Sequence, residues 1–125
     1  MVHSQKGPRF HTSNLDVPCL VTPEDAKRMR ARVVVLEHGS EIGEHTTECR
    51  EELVIVLEGK IVLVGPDGER VLEKGQAAFI PIDTVHNVLN RTEKKARYIY
   101  VLALYDEYSK LKGHGHSHEP GHHQH

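Results

Sequence analysis

Imidazole nitrogens and carboxylate oxygens are side-chain atoms that readily hold a divalent first-row metal, and this chain sets three candidates in two spaced groups. The first group runs Gly39, five residues, His45, one residue, Thr47, four residues, Glu52, six residues, Gly59. The second runs Gly75, five residues, Pro81, one residue, Asp83, two residues, His86, three residues, Asn90. An inward-facing His on one strand and an inward-facing Glu on the next, across a loop, bring an imidazole and a carboxylate together inside a β-barrel. His86, on the strand after Pro81, adds a second imidazole. Two imidazoles and one carboxylate on a rigid β scaffold form a facial set with open positions, which water, dioxygen or a substrate oxygen can fill. Strand alternation favours Glu52 over its neighbour Glu51, which should point to the opposite face.

Such side chains need strands to hold them. From Ala31 the chain breaks into short β-rich runs separated by turn residues, at Arg32–Glu37, Glu51–Glu58, Lys60–Val64, Glu69–Leu72, Ala77–Ile80, His86–Asn90 and Ala96–Leu104. This is the pattern of an all-β sandwich or barrel. No segment between the runs is long enough for a crossover helix, so the sheets should be antiparallel. Upstream, residues 1–16 are mostly polar, with Gly7-Pro8, and are expected to form a flexible N-terminal segment. Val17 to Val21 suits an edge strand, because Pro18 cannot donate to a central ladder. Thr22 and Pro23 have the look of a helix start, good for a turn or two near Glu24. The domain is expected over 17–112, closing with up to two helical turns around Tyr108. Residues 113–125 form a His-rich tail with no apolar residue to pack, expected to be disordered.

Leu53 to Leu57 and Tyr98 to Leu104 are apolar on both faces, whereas a strand on a solvated sheet should alternate. Another sheet or another chain should cover the second face, which points to a homodimer.

Together the two spaced groups resemble the paired motifs of the cupin family, G(X)5HXH(X)3-4E(X)6G and G(X)5PXG(X)2H(X)3N. The resemblance runs from about Ala31 to Leu104 and fails at two defined positions. Where the family has a second His, this chain has Thr47, a poor metal ligand, so a four-ligand site drops to three. Where it has Gly after Pro81, this chain has Asp83, expected to alter the turn. The resemblance implies a small single-domain cupin, an antiparallel double-stranded β-helix (jelly-roll) barrel. It further implies one divalent transition metal, Fe, Mn, Ni or Zn, held by His45, Glu52 and His86, with Thr47, Cys49 and Asn90 lining the pocket. Glu48 or Cys49 could stand in for the missing ligand, a thiolate favouring zinc and a carboxylate manganese or iron, but neither has the spacing of a strand-borne ligand.

Cupins host oxygenases, isomerases, decarboxylases and binding proteins, so fold resemblance does not select a reaction. The expected function is binding or transforming a small organic molecule in the barrel, and an enzyme would be of dioxygenase or isomerase type. The alternative is a non-enzymatic metal-handling or ligand-sensing protein, with a tail whose His114, His116, His118, His122, His123 and His125 buffer metal. A third is a purely structural ligand-binding barrel. Net charge is −2 with Lys and Arg scattered, which leaves no basic stripe for nucleic acid or an anionic membrane. Cys19 and Cys49 form no CxxC pair, and the first residues lack an apolar core, so a reduced cytoplasmic setting is expected. Cys19 is expected to pack as a small hydrophobe, and His38 to face solvent beside its turn.

Overall fold

The computed structural model describes residues 12–104, and all structural statements concern these. The expected helical turns near Tyr108 and the tail histidines lie outside the described residues.

The described chain is all β. Its nine strands are β1 (Cys19–Val21), β2 (Met29–Leu36), β3 (His45–Thr46), β4 (Arg50–Glu58), β5 (Lys60–Gly65), β6 (Gly68–Glu73), β7 (Ala77–Ile80), β8 (Val85–Leu89) and β9 (Ala96–Leu104). They form a five-stranded sheet in the order β1-β2-β9-β4-β7 and a four-stranded sheet in the order β3-β8-β5-β6. Every pairing is antiparallel, and the chain passes between the sheets in the jelly-roll manner.

Period-two alternation explains which residues meet between the sheets. On β4, Glu52, Val54 and Val56 are buried, whereas Glu51 and Leu53 are exposed. Val54, Val56, Ile61, Val88, Ala96 and Tyr98 are at most 2% exposed and form the centre of the core with Leu36, Leu63, Leu72 and Ile80. The opposite face of the five-stranded sheet carries Val35, Leu53 and Phe79, all exposed large hydrophobics. The doubly apolar character of β4 therefore corresponds to one face in the core and one face outward in a single chain.

Glycine is required most sharply at Gly59, between β4 and β5. Its φ is +77°, and a Cβ there would lie 2.8 Å from the Lys95 carbonyl oxygen and 3.1 Å from Ala96 Cα. Backbone atoms cannot give way as a flexible side chain can, so this crossing admits no side chain.

Two expectations need correction. The Thr22–Pro23 helix start makes a single turn, in which the Asp25 and Ala26 amides donate to Thr22 O at 2.9 and 3.1 Å. No helix occurs among the described residues, because the chain is taken up at Met29 by a ladder with β9 that runs without interruption from Met29↔Ala103 to Leu36↔Ala96. Cys19 is exposed on edge strand β1, where its sulfur accepts a contact from Arg32 Nη1 at 3.0 Å. Asp83 adopts φ +54°, the left-handed conformation that Gly takes freely and Asp tolerates better than most residues.

Candidate metal centre

Two crossings between the sheets run side by side and build the site. One is the 47–49 loop from β3 to β4, and the other is the 81–84 turn from β7 to β8. Thr47 stitches them together. Its hydroxyl donates to Pro81 O at 2.7 Å and accepts from the Thr84 amide at 2.9 Å, while its own amide donates to Thr84 O at 3.2 Å. The Asp83 amide adds a bond to Glu48 O at 3.0 Å. At 2% exposure, Thr47 is a fastener of the two crossings.

The stitched crossings deliver three ligand-type side chains to one point. His45 on β3 is the direct antiparallel partner of His86 on β8, so both rings emerge on the same face, with centroids 4.2 Å apart. Glu52 reaches them from β4 in the other sheet, with Oε1 3.4 Å from His86 Nε2. One ligand atom from each of His45, Glu52 and His86 lies within 4.8 Å of the others. Glu52 and His86 are buried, and His45 stands on the more open side.

Hydrogen bonding fixes which nitrogen each imidazole presents. His45 Nδ1 lies 2.8 Å from Gly43 O, and His86 Nδ1 lies 2.9 Å from Thr84 O. A carbonyl oxygen only accepts, so each Nδ1 carries the proton, and each neutral ring presents a bare Nε2 lone pair. Backbone carbonyls behind ligating imidazoles are the usual way to hold tautomer and orientation at a metal.

One atom tests whether a metal suits this set. His86 Nε2 is buried without a hydrogen-bond partner, the one such side-chain atom among the described residues. A buried polar atom without a partner costs about 1–3 kcal/mol, and a cation on its lone pair would satisfy it. The donors are borderline and hard, with no thiolate, which fits a divalent ion such as Fe, Mn, Ni or Zn. Burial disfavours a charged His86 ring, but Glu52, whose carboxylate would accept from Nε2 once that nitrogen is protonated, and the Thr84 carbonyl on Nδ1 outweigh it, so the pKa is raised above the ordinary 6.5.

Beside the group opens a cavity of about 240 Å³, lined by Ile42, His45, Thr46, Thr47, Arg50, Glu52, Val88, Tyr98, Tyr100 and Leu102. Of the residues expected to line it, Thr47 does so, whereas Cys49 and Asn90 are not on the wall. Cys49 is a free thiol in the crossing loop. Asn90 is 1% exposed and wholly engaged in the turn after β8: Nδ2 donates to Leu36 O and Lys94 O, and Oδ1 accepts from the Thr92 amide and hydroxyl. His38 is exposed, with Nδ1 2.6 Å from Thr92 O. Arg50, Tyr98 and Tyr100 are the wall residues that the motif spacing did not mark. Alternation could have found them, since Arg50 precedes Glu52 by two on β4 and the tyrosines occupy alternate positions on β9.

Known proteins agree with this architecture. Residues 32–102 match the cupin domain family. The cupin domain of Cnp3 from Schizosaccharomyces pombe superposes with a TM-score of 0.68 at 18% identity, covering 78% of this chain and 66% of that one. A sugar phosphate isomerase of the cupin superfamily from Silicibacter pomeroyi gives 0.59 at 27% identity, covering 70% and 59%. The TT1209 protein of Thermus thermophilus gives 0.67 at 25% identity, covering 76% and 98%. The chain thus spans less than two thirds of the length of the first two structures. No curated protein sequence matches it significantly. With both spaced groups, the two-sheet topology and the family match in agreement, the chain belongs to the cupin family.

Proposed function

We propose that this protein is a single-metal cupin that binds or transforms a small organic molecule in the cavity beside His45, Glu52 and His86. The observation that carries the proposal is the buried, unpartnered Nε2 of His86, 3.4 Å from a carboxylate oxygen and on the same face as a second imidazole. His45 and His86 would hold the ion through Nε2 and Glu52 through its carboxylate. The bound metal supplies Lewis acidity toward a ligand oxygen, or oxygen activation if it is iron. The chain's own groups do the rest. Gly43 O and Thr84 O hold the rings in the ligating tautomer, Thr47 keeps the two crossings in register, and Tyr98 and Leu102 help exclude water from the cavity's β9 wall.

The neighbouring sugar phosphate isomerase, at 27% identity, supports an isomerase-type reaction on the same scaffold. A non-enzymatic metal-handling role is the second reading, favoured by the six histidines within residues 113–125. The exposed Val35, Leu53 and Phe79 on the outer sheet face support a homodimer packed through that face. A cytoplasmic location rests on the reduced cysteines. No helix among the described residues is long and apolar enough to cross a membrane.

The test is to load the full chain separately with Fe, Mn, Ni and Zn and screen small acids, sugars and thiols for binding or oxygen uptake. Binding or turnover that depends on metal and is lost in Glu52→Ala supports the proposal. A response that is the same with and without metal contradicts it.

A further inference from the structure

The cavity wall formed by β4 and β9 has its residues ordered by register. Arg50 pairs with Leu104, Glu52 with Leu102, Val54 with Tyr100 and Val56 with Tyr98. Arg50 therefore sits two positions from the candidate ligand Glu52, on the same cavity wall as Tyr98 and Tyr100. Its guanidinium is anchored at one edge, where Nε donates to Thr47 O at 3.2 Å. The other edge is weakly committed: Nη2 stands 3.8 Å from Glu48 Oε1, too far for a hydrogen bond, between side chains that are each more than a third exposed.

The tyrosines strengthen the pattern. Tyr98, at 2% exposure, and the more open Tyr100 both line this wall. Arg32 pairs with Tyr100 across β2 and β9, which brings a second guanidinium to the same neighbourhood. Burial raises the Tyr100 pKa, and the charges of Arg32, Glu52, Cys19 and Arg50 all act on it, with the net direction upward. Tyr100 thus stays a protonated donor. A planar guanidinium edge and a phenol donor on one wall match the two oxygens of a carboxylate.

We infer that the ligand of this cavity is a small carboxylic acid, its carboxylate received by Arg50 and the Tyr100 hydroxyl and its remaining atoms directed toward His45, Glu52 and His86. The inference rests on the metal-centre proposal for that second end of the ligand and for the charge balance of the pocket. Charge supports it: a divalent ion with Glu52 and Arg50 leaves the pocket net positive, and a carboxylate offsets that excess. Size is compatible with it too, since about 240 Å³ readily admits a short acid.

The probes are pyruvate, its neutral methyl ester and inorganic phosphate, titrated calorimetrically into the full chain in zinc-loaded and chelator-treated forms. Pyruvate should bind the wild type, and Arg50→Gln should weaken it by about tenfold or more, the size of a lost charge-assisted hydrogen bond. Arg50→Lys should restore part of the loss, and Tyr100→Phe, which keeps the ring, should weaken pyruvate by about threefold. The methyl ester should bind the wild type at least about tenfold more weakly than pyruvate and be indifferent to Arg50→Gln. Equal affinity for pyruvate and its ester, tighter binding of phosphate, no effect of Arg50→Gln, or no pyruvate binding by either form at about 10 mM would each overturn the inference. The two proposals fail separately. Loss of zinc binding removes the metal centre, while the Arg50 dependence in chelator-treated protein still decides the acid site.

Discussion

Two buried polar side chains stand at either end of the same short stretch of chain, and they are treated in opposite ways. Asn90, just beyond β8, spends both amide protons and its carbonyl oxygen on Leu36 O, Lys94 O and the two donors of Thr92. His86, within β8, spends Nδ1 on Thr84 O and leaves Nε2 buried without a partner. Both are motif residues, and both are at most 3% exposed. A satisfied polar group closes its surroundings and serves the fold. An unsatisfied one, facing a carboxylate and a second imidazole, is an open valence that the fold tolerates at a cost. The contrast separates architecture from function inside one motif.

The largest expected effect falls on the architectural end. Asn90→Ala removes all four hydrogen bonds and strands donors and acceptors in a closed turn, so denaturant unfolding should show a loss of about 3 kcal/mol or more. Metal affinity of the fraction that remains folded should be unchanged, and a loss of affinity without a loss of stability would erase the distinction. Glu52→Gln works at the other end. It keeps the shape and removes the charge, so zinc affinity should fall by about a hundredfold while the metal-free chain unfolds within about 1 kcal/mol of the wild type.

Thr47→His sharpens the comparison at the position where the family pattern has a ligand. By the family pattern an imidazole at this position would be a fourth ligand and would tighten the site. The structure commits the Thr47 hydroxyl to Pro81 O and the Thr84 amide, so the substitution should instead destabilise by about 2 kcal/mol. Zinc affinity that rises in a chain of unchanged stability would show that position 47 faces the metal after all.

The smallest effect is that of pH on the metal-free chain. The folded-state pKa of His86 lies above 6.5, so its protonated form contributes stability in full below the unfolded value and loses it as pH rises through the folded value. Metal-free protein should therefore weaken slightly from about pH 6 upward on this account, and His86→Ala should flatten that slope. Metal binding runs the other way. It needs the deprotonated ring and should fall as pH drops, beginning above the ordinary imidazole range because the proton is held more tightly.

Much of the fold was legible in the sequence. Runs of β-formers between turn residues, and the edge strand ending at Val21, placed eight strands to within about three residues, because alternation and turn chemistry are local properties. The two-residue strand β3 was not placed, although it carries His45. It has no periodicity of its own and exists because His45 and Thr46 pair with His86 and Val85, partners some forty residues away. The Thr22 turn failed for the matching reason: a local helix signal lost to a long-range ladder. His45, Glu52 and His86 were marked by spacing, and Glu52 over Glu51 by alternation, and the structure brings the three together. Thr47 and Asn90 were marked as pocket residues by the same spacing, which records geometry and chemistry alike. Only the hydrogen-bond partners separate the two roles. Arg50, Tyr98 and Tyr100 were obscured because the cavity is assembled from both sheets, and no single run of sequence contains it.

The central claim is that His45, Glu52 and His86 hold one divalent ion, and the tail histidines are the main obstacle to measuring it. Zinc titration of the full chain with His114, His116, His118, His122, His123 and His125 all replaced by alanine removes that obstacle. The expected result is about one zinc per chain at saturation, and none once His86→Ala is added, with the fold intact by circular dichroism. Equal zinc uptake with and without His86, or no uptake by the tail-substituted parent, would contradict the claim.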